Sequence, residues 1–262
     1  MLKKRLIPVL LLQNGLLVRS ELFKIHQIIG NPIHEVDRFN EWMVDELIYL
    51  DISPEEQYDS HREDSKVKGF RNSLEALDAV SESCFMPLTW GGRITSLEQM
   101  RERISRGADK VAINSAAVRT PDLITQGART FGSQAIVVSI DVRALGKDRW
   151  EVYIDGGQTP TELDPVAWAR QAEALGAGEV LLQSIDRDGT GRGYDLDLIH
   201  AVASSTRIPV IACSGVGRYE HYAEGIRAGA SAVAAANIWH FKELADLGGK
   251  RALAKAGVDV RL

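Results

Sequence analysis

The chain has 262 residues, 45% of them apolar and 26% charged, with a net charge of -5. That length holds one large α/β domain or two small ones, and the apolar fraction is enough for a sizeable core. A mildly acidic chain has no basic field for nucleic acid, and no apolar run reaches the ~18 residues of a membrane span, so neither partner is expected.

The first apolar run, R-L-I-P-V-L-L-L from Arg5 to Leu12, reads as a buried strand closed by the turn Gln13-Asn14-Gly15. Lys3, Lys4 and Arg5 lead into it, but the run is too short for a signal peptide and lacks a small-residue cleavage site. A second strand is predicted at 46–51. The segment after it, 53–69, is highly polar and reads as a solvated loop or as a mobile flap. Further strands are predicted at 86–90, 110–114, 135–141, 179–184, 209–213 and 232–236. Amphipathic stretches lie between them. Thr95 to Gly107 has apolar spacing of three and four. Thr120-Pro121 and Asp164-Pro165 each read as a cap followed by proline at the first helical position. Cys84 and Cys213 sit in apolar surroundings and read as reduced thiols, which suits a cytoplasmic protein.

Eight strand–helix units in one chain predict a (β/α)8 TIM barrel as a single domain over 1–262; a doubly wound open sheet is the alternative. The chain also repeats itself. R-G-A-D-K-V-A-I-N at 106–114 resembles A-G-A-S-A-V-A-A-A at 228–236, and M-P-L-T-W-G-G at 86–92 resembles I-P-V-I-A-C-S-G at 208–215. Gly107 pairs with Gly229 and Pro87 with Pro209 at one common spacing, which predicts two half-barrels related by a twofold.

In such barrels chemistry sits at the C-terminal strand ends. After the sixth strand comes D-R-D-G-T-G, with Asp188, Gly189 and Thr190; Ser214-Gly215 follow the seventh and Asn237 the eighth. Together they read as a phosphate cradle of backbone N–H groups. The first half offers Gly91-Gly92 and Asn114-Ser115 at matching strand ends. Two opposed cradles suit an elongated ligand with a phosphate at each end; the plain alternative is tight βα turns. Asp141 ends the fifth strand. It is either a general acid or base or a carboxylate bonded to turn amides. In the repeat, the position matching Asp141 is Leu11, where a second carboxylate would complete a pair.

V-D-E-L-I-Y-L-D-I, R-G-A-D-K-V-A-I-N, F-G-S-Q-A-I-V-V-S-I-D, L-L-Q-S-I-D-R-D-G-T and the final G-V-D-V-R-L resemble the cyclase subunit of imidazole glycerol phosphate synthase over nearly the whole chain. The resemblance implies a twofold-repeated barrel that takes ammonia from a glutaminase docked on its N-terminal face. Ammonia would pass along the axis to a bis-phosphorylated ribonucleotide at the mouth. It implies two acid/base aspartates, one matched by Asp141 and the other replaced by Leu11. Neither a metal nor a cofactor is expected. Trp90, Arg93, Ser214, Arg19 in place of a loop lysine, and the longer 53–69 segment also depart from the family's pattern. I-P-V-L-L-L-Q-N-G-L-L-V is similar to divergent members associated with sugar amidation in bacterial surface-polysaccharide clusters. There the barrel and its glutaminase would supply ammonia to a separate sugar amidotransferase, which converts an acetamido group to an acetamidino group. The competing expectations are an active cyclase of histidine biosynthesis and a barrel that only binds phosphorylated ligands. Arg5, Glu46, Lys110 and Glu179 begin four strands, so in the resembled family's architecture they would form an alternating charge gate facing the glutaminase, with Asp109 beside it.

Overall fold

The computed structural model describes residues 3–59 and 69–261. Its strands are β1 (Arg5–Gln13), β2 (Leu16–Glu21), β3 (Ile25–Gly30), β4 (Leu47–Asp51), β5 (Leu88–Gly91), β6 (Lys110–Ile113), β7 (Ile136–Gly146), β8 (Arg149–Ile154), β9 (Thr159–Pro160), β10 (Glu179–Ser184), β11 (Val210–Cys213) and β12 (Ala232–Ala235). Eight of them pair in parallel in the cyclic order β1, β4, β5, β6, β7, β10, β11, β12 and back to β1. The β7–β10 and β12–β1 pairings leave no open edge, so the sheet is a closed (β/α)8 barrel and not a doubly wound sheet. By this order β1 and β7, the first strands of the two half-repeats, stand diametrically opposed.

The outer layer holds α1 (Pro32–Trp42), α2 (Ser73–Ser83), α3 (Leu97–Ser105), the short α4 (Ser115–Arg119), α5 (Asp122–Phe131), α6 (Pro165–Leu175), α7 (Leu196–Ala203), α8 (Glu220–Arg227), the short α9 (Ile238–Phe241) and α10 (Ala245–Lys255). Strand alternation divides the apolar residues in two. Leu6, Leu10, Tyr49, Trp90, Ile140 and their neighbours pack outward against the helices. Ile7, Val9, Ile48, Ala112, Val137, Leu181, Ile211, Ala232 and Ala234 fill the barrel interior. Most barrel strands are thus apolar on both faces, which explains why they read as continuous runs, while β5 turns Thr89 inward beside Ile48.

Asp164 caps α6 through Ala167 N as the sequence predicts, with Pro165 as the first helical residue. Thr120-Pro121 behaves differently. No side chain caps α5; Pro121 lies just before it, and Leu123 N and Ile124 N close a tight turn on the carbonyls of Thr120 and Pro121. Two hairpins were also not anticipated. β1 continues past its turn into the antiparallel pair β2–β3, and β7 runs on beyond Asp141 to pair with β8. The polar 53–69 segment is packed at its start: Tyr58 is buried, its hydroxyl donates to Asp51 Oδ2 at 3.0 Å, and its N–H bonds to the Arg71 carbonyl. Residues 60–68 of that expected loop or flap lie outside the described residues. Among the described residues no helix is long and apolar enough to cross a membrane.

Candidate functional site

The C-terminal ends of the barrel strands enclose a cavity of about 970 Å³. That is near the upper end of the ~300–1,000 Å³ usual for ligand pockets. Asp141 projects into it from β7 and is buried. Its Oδ1 accepts hydrogen bonds from Gln183 Nε2 at 2.9 Å and Ser139 Oγ at 3.5 Å. Burial pushes its pKa up to about 7, helped by the charge of Asp188 and opposed by hydrogen bonds from Gln183, Ser139 and Asn114. A carboxyl poised near neutrality has both protonation states available, as acid/base chemistry requires. Leu11 lines the same cavity from the opposed strand β1, together with Val9 and Leu50, so the far wall is apolar.

The glycine turns are steric necessities as well as cradles. Gly92 has φ +109°, and a Cβ there would collide with the Asp51 carbonyl oxygen. Gly215 has φ +93°, and a Cβ there would collide with the Gly193 carbonyl oxygen. The twofold is visible in the backbone: Gly92 and Arg93 at one turn, and Ser214 and Gly215 at the other, are consecutive positive-φ pairs. Each pair carries one non-glycine residue, Arg93 at φ 54° and Ser214 at φ 82°. Among the described residues Ser214 Oγ is buried without an oxygen or nitrogen partner, beside the Cys213 thiol, and the residue lines the cavity.

The other predicted residues divide. Gly189, Asn114, Ser115, Asp188 and Asn237 reach the cavity. Asn114 Nδ2 is committed to the Ser139 carbonyl at 3.0 Å, and Asn237 Nδ2 to the Ser20 carbonyl at 2.9 Å. Ser115 Oγ donates to Asn114 Oδ1 and accepts from Asp155 N. These three side chains therefore brace the walls, and what remains free for a phosphate is chiefly backbone N–H. Gly91 lies within β5, with no room for a Cβ between Leu50 and Ala112, and does not line the cavity. Thr190 turns its hydroxyl back to the Arg187 carbonyl at 2.8 Å and is also outside the lining. Arg19 donates to Gln27 Oε1 at 2.6 Å away from the cavity.

Sequence reading missed the roof. The β2–β3 hairpin brings Ser20, Phe23, Lys24 and His26 to the mouth. Asp188 fastens it: Oδ2 accepts from Ser20 Oγ at 2.6 Å and from Phe23 N at 3.2 Å, while its carbonyl accepts from Leu22 N at 3.0 Å. It also missed Gln183, although counting inward alternation from Glu179 through Leu181 leads to it.

At the opposite end of the axis the four charged strand starts meet. Arg5 binds Glu46 Oε1 at 2.6 Å and Glu179 Oε1 at 2.9 Å; Lys110 binds Glu46 Oε2 at 3.2 Å and Glu179 Oε2 at 3.0 Å. Each cation bridges both carboxylates and each carboxylate both cations. Burial works against the charge on Arg5, but Glu179 and Glu46 outweigh it and raise its pKa. Asp109 is occupied in capping β5, accepting from Leu88 N at 2.8 Å. Among the described residues no group of His, Cys, Asp and Glu is placed to hold a metal ion.

Comparison with known proteins agrees with this architecture. The family described as "Histidine biosynthesis protein" matches residues 5–245. The chain is 42% identical over 261 residues to the imidazole glycerol phosphate synthase subunit HisF of Gluconacetobacter diazotrophicus, covering 100% of this chain and 97% of that protein. It is 41% identical over 263 residues to the same subunit of Bacillus cereus, covering 100% of both. With matched barrel and matched length, the chain belongs to the histidine biosynthesis protein family, as a relative of the HisF cyclase subunit of imidazole glycerol phosphate synthase.

Proposed function

We propose that this chain is the barrel subunit of a glutamine-dependent assembly of the imidazole glycerol phosphate synthase type. A glutaminase docks over the charge ring, ammonia enters there, and the apolar axis carries it to a phosphorylated ligand at the mouth. The observation that carries this reading is the closed four-member ring of Arg5, Glu46, Lys110 and Glu179 at the foot of an apolar interior. A barrel that only binds ligands has no use for such a closure. The match to the histidine biosynthesis protein family, and to imidazole glycerol phosphate synthase subunits within it, supports histidine biosynthesis as the first reading of the acceptor. On this reading Asp141, poised near pH 7, moves the proton. The test is complementation of a strain lacking its own cyclase subunit, together with cyclase turnover on added ammonia. Growth without histidine supports the reading; no growth and no turnover rejects the cyclase role.

A second reading is favoured by Leu11. With an apolar wall opposite Asp141, the assembly keeps its ammonia path and its glutaminase but passes ammonia to a separate sugar amidotransferase, as in the divergent surface-polysaccharide branch. Its signature is a native complex holding a glutaminase and a sugar-modifying enzyme, in cells whose polysaccharide loses its acetamidino groups when the chain is deleted.

A further inference from the structure

Side chains alternate along a strand, so the inward column of β10 runs Glu179, Leu181, Gln183. Glu179 belongs to the charge ring, Leu181 to the apolar interior, and Gln183 lines the mouth cavity. At about 3.3 Å per residue this column covers ~13 Å from ring to mouth. A small molecule rising along it from the ring passes Leu181 and next meets the Gln183 carboxamide. The columns across the axis differ. Val9 and Leu11 of β1 and Leu50 of β4 keep that wall apolar up to the cavity.

Gln183 is buried and its amide is locked. Nε2 donates to Asp141 Oδ1 at 2.9 Å and to Ser139 Oγ at 3.2 Å, which spends both of its hydrogens. Ser139 Oγ in turn donates to the same Asp141 oxygen at 3.5 Å. A flipped carboxamide would lose both bonds, so the direction of Oε1 is fixed. That oxygen accepts no hydrogen bond among the described residues, yet it is not sealed off as Ser214 Oγ and Asn237 Oδ1 are. It is an unmet acceptor open to the cavity, and leaving it unmet in a buried site is costly. An unmet acceptor selects a donor. The apolar wall opposite offers no place for the rest of a polar group, which favours a donor as small as ammonia. The acceptor is also uncharged. A carboxylate here would favour ammonium, whose nitrogen has no lone pair to attack with, whereas a carbonyl oxygen takes one N–H of neutral ammonia and leaves the lone pair free.

We infer that Gln183 Oε1 is the receiving point for ammonia at the top of the barrel axis, holding it beside Asp141. This rests on the proposed ammonia path. It adds the group that stops ammonia at the mouth, and it gives Gln183 two tasks: its amide nitrogen orients the carboxyl that moves the proton, and its oxygen holds the nucleophile.

Ammonia itself is the probe. The side-chain amide signal of Gln183, in wild-type protein labelled with ¹⁵N at glutamine, is followed as ammonium chloride is added at pH 9 and at pH 7, against sodium chloride at equal ionic strength. Each pH has its own ammonia-free reference, because Asp141 titrates near pH 7. The signal should shift saturably with ammonia, more at pH 9 than at pH 7 for the same total, since the neutral form is the one held; sodium chloride should leave it in place. A signal unmoved by ammonia, a shift larger at pH 7, or an equal shift with sodium chloride overturns the inference. Ribose 5-phosphate tests the competing donor: a shift with it and none with ammonia would make Gln183 a reader of ligand hydroxyl groups, which also overturns the inference. Turnover on added ammonia gives a second measure. Gln183→Met should raise the KM for ammonia by up to about tenfold, the scale of one hydrogen bond, and leave the KM for the phosphorylated ligand within about twofold. The opposite split overturns the inference. The titration needs no turnover and decides alone in a chain that has none. If the Gln183 signal answers to ammonia but no glutaminase binds over the ring, the proposed path fails and the receiving point stands. If a glutaminase couples to the barrel while ammonia leaves the Gln183 signal unmoved, the receiving point alone fails.

Discussion

Leu11 and Asp141 line one cavity from diametrically opposed strands of the closed barrel, an isobutyl group on one wall and a buried carboxyl on the other. Acid/base work at such a mouth normally divides between two groups, one donating while the other accepts. Leucine can do neither. Turnover on ammonia and the bis-phosphorylated ribonucleotide is expected to fall on the order of 10²–10⁴ below that of a cyclase with two carboxylates. Leu11→Asp should recover part of this, because the position is only partly buried and opens on the cavity. Steady-state rates of the two proteins decide it. Wild-type turnover at the level of the relatives, unimproved by Leu11→Asp, would show that Asp141 works without a partner.

Asp141 also makes stability depend on pH. Its folded pKa of about 7 lies above the ordinary carboxyl value of 3.8 because burial disfavours the charge. Between those values the folded state holds a proton that the unfolded state has lost. Stability from this group therefore falls as pH rises from about 4 to about 7, then levels off. Asp141→Asn removes the ionisation, so the difference between variant and wild type should grow in the variant's favour across that window. Chemical denaturation at pH 5 and pH 8 measures it. A constant difference would mean that the carboxyl ionises in the fold at its ordinary pH.

Much of this was legible in the sequence, for definable reasons. Each barrel strand is covered on both faces, so it appears as an unbroken apolar run, and the repeat of R-G-A-D-K-V-A-I-N exposed the half-barrel plan. The charged ring was legible because strand starts are fixed points: Arg5, Lys110 and Glu179 head their strands and Glu46 lies one residue before. The roof was not legible. R-S-E-L-F-K-I-H-Q-I-I alternates poorly, since the hairpin's stability comes from Asp188, far away in sequence. Thr190 misled because a hydroxyl in a glycine loop looks free, whereas the turn folds it onto Arg187.

The fastening of the roof gives a third expectation. Ser20 Oγ to Asp188 Oδ2 is a buried 2.6 Å bond between residues on different elements. Ser20→Ala leaves the Phe23 N and Leu22 N contacts in place but removes this one. A hydrogen bond to a charged group contributes roughly 1.5 kcal/mol or more, so opening of the β2–β3 hairpin should rise about tenfold. Hydrogen exchange of the amides from Leu16 to Gly30 should quicken by that factor, with the β10 and β11 amides unchanged. Uniform quickening across the barrel would instead mean that Ser20 supports the whole fold and not the roof.

The charge ring separates stability from coupling. Its side chains are 10–22% exposed, so water reaches the rim and screens part of each pair. Glu46→Gln leaves Arg5 and Lys110 sharing Glu179 alone, and Lys110→Met leaves Arg5 facing two carboxylates. Either change unbalances the ring by one charge and should cost about 1–3 kcal/mol, below the ~3–5 kcal/mol of a fully buried pair broken on one side. The double variant Glu46→Gln/Lys110→Met restores neutrality, leaving the Arg5–Glu179 pair at 2.9 Å, and should regain much of that stability. Closure is a different property: each single variant loses one of the four members and the double variant two, so the closed circuit of ion pairs is broken in all three whatever the net charge. All three variants should therefore leak ammonia to solution when the glutaminase turns over, and the double variant should leak as much as either single one while melting closer to the wild type. Melting temperature and free ammonia per glutamine hydrolysed are the two readouts. Leakage that tracked stability, returning to the wild-type level in the double variant, would make the ring a structural clamp and not a gate.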